Sequence, residues 1–91
     1  MAITVTFTPA AMTGAQYDEI LRRLEASGQG TPAGRRYHVA TNGSNTVQVI
    51  DVWDSPETFG AFGQTLLPIL QELGIDPGQP AIAEVHNIVT A

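Results

Sequence analysis

The sequence predicts an α+β fold of the ferredoxin-like type: a four-stranded antiparallel sheet with two helices on one face. Three observations carry this. Short alternating or β-branched runs stand at four places, and two longer runs with helical periodicity separate them, so the element order is βαββαβ. An Asn-Gly turn joins the two central strands. The segment Val49-Ile50-Asp51-Val52-Trp53-Asp54-Ser55-Pro56-Glu57 reads as a strand running straight into a capped helix. A right-handed split βαβ arrangement of that order closes into the ferredoxin-like sheet.

The elements follow in order. Ile3, Val5 and Phe7 alternate with Thr4, Thr6 and Thr8 as in a half-buried strand, which Pro9 ends. Thr13 and Gln16 have capping-box spacing, and Tyr17, Ile20, Leu21 and Leu24 form one helical apolar stripe. Asp18 with Arg22, and Glu19 with Arg23, are i,i+4 pairs on the solvated face, and Gly28 ends the helix. Gly28 to Gly34 is a flexible loop. Its glycine spacing, and its place after a helix, are wrong for a dinucleotide-binding turn. Arg35 to Thr41 and Thr46 to Trp53 read as strands of a hairpin. In the second helix, about Pro56 to Leu73, Ser55 is the N-cap and Pro56 takes the first position, where its missing N–H costs nothing. Phe59, Phe62, Leu66, Ile69, Leu70 and Leu73 keep the period, Pro68 predicts a kink, and Gly74 with Ile75 predicts a Schellman stop. Ala81 to Val89 is the last strand.

With 91 residues the chain makes one domain, residues 1–91, with a modest core that dimerisation commonly supplements. Cysteine is absent, so there is no thiolate nucleophile. The formal net charge is −5, lysine is absent, and the four arginines fall in two pairs. Nucleic acid and anionic membrane surfaces both need a basic face, so neither is expected as a partner. The N-terminus alternates like a strand and carries no positive leader, and no apolar run is long enough to span a bilayer. A cytoplasmic protein is the expectation.

If Thr41 opposes Thr46 across the hairpin, His38 opposes Val49 and Arg36 opposes Asp51. Period two then sorts the sheet. Tyr37, Val39, Ile50 and Val52, with Ile3, Val5 and Phe7, form a uniformly apolar face expected under the helices. Arg36, His38, Ala40, Val47, Val49, Asp51 and Trp53, with Glu84 and His86 from the last strand, form a mixed open face. Such a face is expected to press against its own copy in a C2 homodimer. A one-residue slip would exchange the faces.

The element order, together with Asp51-Val52-Trp53-Asp54-Ser55 and the following Pro56 to Phe62, resembles the dimeric α/β-barrel superfamily, in particular its antibiotic-biosynthesis-monooxygenase-like group. The resemblance implies a homodimer whose two sheets form a barrel, with pockets between sheet and helices. Some members oxidise aromatic polyketides with O2 and neither metal nor flavin, and others degrade haem. Trp53 corresponds to a tryptophan of the oxygenases. Haem-degrading members use an Asn on the first strand and a His on the second helix. Here the first strand offers Thr4 and Thr6, and no histidine lies between Pro56 and Leu73. For the Asn of the polyketide oxygenases, Asn42 and Asn87 are the candidates.

His38 and His86 are the candidate catalytic residues, since imidazole exchanges protons near neutral pH and could deprotonate an acidic phenol. The plainer alternative for each is a hydrogen-bonded interface histidine. Sharing a face, they could add Asp51 or Glu84 as metal ligands, but no spacing signature supports this, and no metal or other cofactor is expected. Arg36 with Asp51 reads as a cross-strand salt bridge. Gly60 and Gly63 each cost about 1 kcal/mol relative to Ala in a helix. Either the helix approaches the sheet closely there, or the missing side chains leave a cavity. The second reading gives a pocket for a small apolar or aromatic ligand, with Tyr17, Trp53, Phe59 and Phe62 as its aromatic wall, Gly63 as its floor, and the Gly28–Gly34 loop as its lid. Two functions remain: a ligand-binding dimeric barrel without assignable catalysis, or a cofactor-independent oxygenase or cyclase acting on an aromatic polyketide-type substrate. A cavity of several hundred Å3 touching His38 or His86 and opening near Gly28–Gly34 favours the enzyme.

Overall fold

The computed structural model describes residues 1–90. Its elements are β1 (Ile3–Phe7), α1 (Gly14–Ala26), β2 (Arg35–Asn42), β3 (Val47–Trp53), α2 (Pro56–Glu72) and β4 (Ala81–Glu84). The strands form one antiparallel sheet in the order β2-β3-β1-β4. This is the ferredoxin-like α+β fold. Among the described residues no helix is long and apolar enough to cross a membrane.

The helix boundaries follow the local chemistry. The Thr13 hydroxyl accepts from the Gln16 N–H at 3.1 Å, and the Gln16 side chain accepts from the Thr13 N–H at 2.9 Å, so two free donors are satisfied reciprocally. In α2 the Ser55 hydroxyl accepts the Thr58 N–H at 3.2 Å, with Pro56 at the first position. The last turn closes as a Schellman motif: Ile75 N–H reaches the Leu70 carbonyl at 2.9 Å, and Gly74 takes φ 69°. The helix runs on through Pro68, which is exposed, so one missing bond on the solvent side does not divide it.

Glu19 gathers both arginines of α1, Arg22 at 2.5 Å and Arg23 at 2.8 Å, and Arg23 reaches on to Glu72 of α2 at 2.8 Å. Arg22 thus pairs with Glu19, not with the expected Asp18. Hydrogen bonds from Arg22 and Arg23 hold the Glu19 carboxyl down at about 2.

The hairpin register departs from expectation by two residues. Asn42 faces Val47, His38 faces Asp51, and Ala40 faces Val49. Thr46 belongs to the turn: its carbonyl accepts the Gly43 N–H at 2.8 Å, and its hydroxyl accepts the Met12 N–H at 2.9 Å. An irregularity between Arg35 and Tyr37 then brings Arg35, in place of Arg36, opposite Trp53. Arg36 turns to Asp54, and the expected Arg36–Asp51 bridge does not form.

A two-residue shift leaves the two faces of the hairpin intact, but the assignment of those faces to helix and solvent is reversed. In the register of β1 on β3, Ile3 faces Trp53, Val5 faces Asp51 and Phe7 faces Val49. The apolar set of β1 therefore shares its face with Trp53, Asp51, Val49 and His38, and this is the face the helices cover. Val47, Val49, Asp51 and Trp53 are buried, and they join Ile3, Val5, Ile20, Leu24, Phe62 and Leu70 in the core. Tyr37, Val39 and Ile50, expected beneath the helices, stand on the open face and are 45%, 51% and 38% exposed. β4 is shorter than expected, ending at Glu84.

Candidate functional site

A hydrogen-bonded chain of side chains crosses the covered side of the sheet. His38 on β2 and Asp51 on β3 face each other across the hairpin, and His38 Nδ1 lies 2.6 Å from Asp51 Oδ1. Tyr17, four residues beyond the α1 cap, brings its hydroxyl to 2.6 Å from His38 Nε2, with the two rings within 5° of parallel. The other Asp51 oxygen accepts the Trp53 indole N–H at 3.3 Å. Asp51 is the buried charged residue of the core, 3% exposed, and each of its oxygens has a partner.

An ionised carboxylate only accepts, so the bond to Asp51 places a proton on His38 Nδ1. In the neutral imidazole, Nε2 then accepts from the Tyr17 hydroxyl. When His38 takes a second proton, the same contact reverses and Tyr17 accepts. The geometry therefore lets a proton pass in either direction between the Tyr17 oxygen and the imidazole. Burial raises Tyr17 above the ordinary phenol value of 10.0, reinforced by the Asp51 and Asp18 charges and opposed by Arg35. Its hydroxyl is therefore a carrier of hydrogen bonds at neutral pH. Arg35 reaches the Gly30 carbonyl at 3.2 Å, and its guanidinium carbon lies 5.9 Å from the centre of the Phe62 ring.

This chain opens on a cavity of about 60 Å3 between helices and sheet. Tyr17, Arg35, His38 and Asp51 are its polar residues, and Ile20, Leu24, Phe62 and Leu70 are among its apolar ones. The volume holds a few waters or a short chemical group. A larger cleft of about 360 Å3 adjoins it, lined by Phe59, Gly60, Gly63, Gln64, Leu67, Gly78 and Pro80. Phe7, Leu66, Leu70 and Pro77 line both spaces. A Cβ built on Gly60 or on Gly63 would meet nothing within 4 Å, so these glycines leave room and do not serve a close helix–sheet contact.

The sequence-level candidates are thus dispersed. Tyr17, His38 and Phe62 line the small cavity, while Phe59 and Gly63 line the larger cleft. Trp53 lies on neither. It is fully buried behind Asp51, packed on Phe62 at 5.2 Å and Phe59 at 5.7 Å between ring centres. His86 lies beyond the end of β4, exposed, and β4 and the β2 strand of His38 are opposite edges of the sheet. The two histidines do not meet, and no group of three metal-ligating side chains comes together among the described residues. The Gly28–Gly34 loop contributes no lining residue to either space. It is tied down by the Arg35–Gly30 contact and by the Asp54 N–H on the Gly34 carbonyl at 2.7 Å, so it is not a lid in this structure.

Sequence reasoning missed Asp51 as the hydrogen-bond partner of His38 and Tyr17 as a hydrogen-bond donor to it. The His38–Asp51 pair follows from the hairpin register: with Asn42 paired to Val47, the two residues stand opposite each other.

No protein-family model matches the chain, and no curated protein does. Solved structures of the same fold do match. A candidate antibiotic biosynthesis monooxygenase from Chloroflexus aurantiacus is 15% identical, with a TM-score of 0.67 over 99% of this chain and 98% of that one. SnoaB, a cofactor-independent oxygenase from Streptomyces nogalater, is 18% identical, with a TM-score of 0.63 over 99% of this chain and 96% of that one. A third, from Caulobacter crescentus and again a candidate antibiotic biosynthesis monooxygenase, is 16% identical, with a TM-score of 0.66 over 97% and 91%. The likeness to these three structures therefore extends over the whole fold.

Proposed function

We propose, from the antibiotic-biosynthesis-monooxygenase-like fold as premise, that this chain is a homodimeric protein that binds a small apolar or aromatic molecule between its helices and its sheet. The observation that carries this reading is the pair of adjoining spaces under α2, apolar but for one polar wall. Ligand pockets commonly span about 300–1,000 Å3 with few, well-placed polar groups, and the larger cleft falls within that range. Titration calorimetry with naphthol is the test. Saturable heat that weakens at least tenfold in Tyr17→Phe/His38→Ala supports the reading. No heat with naphthol or smaller phenols overturns it.

The dimer rests on the open sheet face. Tyr37, Val39 and Ile50 expose side chains that a lone domain this small would rather cover. The expected partner is a second copy, through an isologous contact. Sedimentation at micromolar concentration is expected to give a dimer, and a stable monomer overturns it.

A second reading, cofactor-independent oxygenase or cyclase chemistry, is favoured by the Tyr17–His38–Asp51 chain. Such a chain can take the proton of an acidic phenol, and the electron-rich anion left behind is the species that O2 oxidises. SnoaB, of the same fold, is an oxygenase without a cofactor. Oxygen uptake with polycyclic phenols is expected in the wild type and lost in His38→Ala with the fold and assembly intact. Equal rates in the two proteins overturn this reading.

A further inference from the structure

The two spaces differ in chemistry as well as in size. The inner chamber holds Tyr17, His38, Asp51 and Arg35 within a ring of apolar side chains. The outer cleft has Gln64 as its one polar side chain, and its remaining lining is aliphatic, aromatic, proline or glycine. The inner chamber, about 60 Å3, is too small for a whole ligand, and the outer cleft, about 360 Å3, offers only Gln64 to orient one. Phe7, Leu66, Leu70 and Pro77 form the common wall, so the boundary between the two spaces is apolar.

Resting on the ligand-binding reading above, we infer that the ligand is an elongated amphiphile: a phenolic head with an apolar tail. The phenol hydroxyl enters the inner chamber and hydrogen-bonds to the Tyr17 hydroxyl, the ring sits at the boundary formed by Leu66, Leu70, Phe7 and Pro77, the tail lies in the outer cleft, and Gly60 and Gly63 set the tail length. Three features support this. Four polar residues gather at the inner end against Gln64 alone at the outer, which matches a molecule with one polar terminus. The glycines face open space with no Cβ contact, so nothing in the packing of this chain requires glycine at either position. Both stand in the interior of α2, where glycine is unfavourable and alanine would hold the helix better. Room for a tail accounts for them.

Titration calorimetry with phenol, para-ethylphenol, para-butylphenol and para-hexylphenol tests this. In the wild type, affinity is expected to rise along the series by at least tenfold from phenol to para-hexylphenol. In Gly63→Leu, which sets a side chain in the cleft, the ratio of the two affinities is expected to fall at least tenfold, and in Gly60→Ala it falls less. Thermal melts accompany both variants. Gly60→Ala, which only adds a methyl where there is space, is expected to melt no lower than the wild type and carries the test if Gly63→Leu does not fold. A flat series in the wild type, or an unchanged ratio in the folded variants, overturns the amphiphile and leaves the ligand-binding reading standing. Absence of binding by every probe overturns both.

Discussion

The two faces of the sheet contrast in a way that inverts the simplest expectation. The face beneath the helices buries a carboxylate and half-buries an imidazole, while the face open to solvent carries Tyr37, Val39 and Ile50. Burial of charge is tolerated on the covered face because the groups satisfy one another: Asp51 accepts from His38 and Trp53, and His38 is held on its other side by Tyr17. The open face has no such internal solution, since apolar side chains can be satisfied only by covering them. Polarity by itself therefore does not tell which side of a sheet is inside. What decides is whether the polar groups form a closed set.

Substitutions on the two faces should differ accordingly. The largest effect is expected from Trp53→Ala, which removes a fully buried ring packed on Phe59 and Phe62 and strips Asp51 of a donor. A loss of about 3–5 kcal/mol in denaturant unfolding is expected. Asp51→Ala leaves the indole N–H and the imidazole without their acceptor, at about 1–3 kcal/mol for each orphaned group. If Asp51→Ala were neutral in the same unfolding experiment, the closed-set account of the covered face would be wrong.

On the other face, Ile50→Lys should change unfolding of the isolated domain by no more than about 0.5 kcal/mol, as is usual for surface positions. Its expected effect is on assembly, with the proposed dimer shifting toward monomer in sedimentation. The smallest effect is a titration. In a Tyr37→Phe background, tyrosinate absorbance should report Tyr17 alone, and the midpoint should lie above 10.0. Because the folded state holds this proton more tightly than the unfolded chain, its contribution to stability is full below pH 10.0 and is lost as pH rises through the folded midpoint.

The elements and their caps were legible because their causes are local. Thr13 with Gln16, Ser55 with Pro56, and Gly74 with Ile75 each act within one turn of helix. The open space at Gly60 and Gly63 was legible as well, because two poor helix formers on one apolar helix call for a reason. The hairpin register and the face assignment were not legible. They depend on Thr46 being drawn into the turn by Met12, and on the register of β1 against β3, contacts between residues far apart in the chain. The alternation in β2 and β3 marks two faces and leaves open which one the helices cover. The site inherited that ambiguity: His38 was visible as a residue, while its partners depended on a register that a local turn signal does not specify.

One consequence of the Trp53–Asp51 bond lies in optics. The chain has a single tryptophan, so its indole emission comes from one place, and that indole is joined through one carboxylate to the imidazole that lines the cavity. Any rearrangement of that hydrogen-bonded chain changes the field at the excited ring. The protein thus carries its own dye, wired to the group whose charge matters most and shielded from water by the same core that holds the fold together.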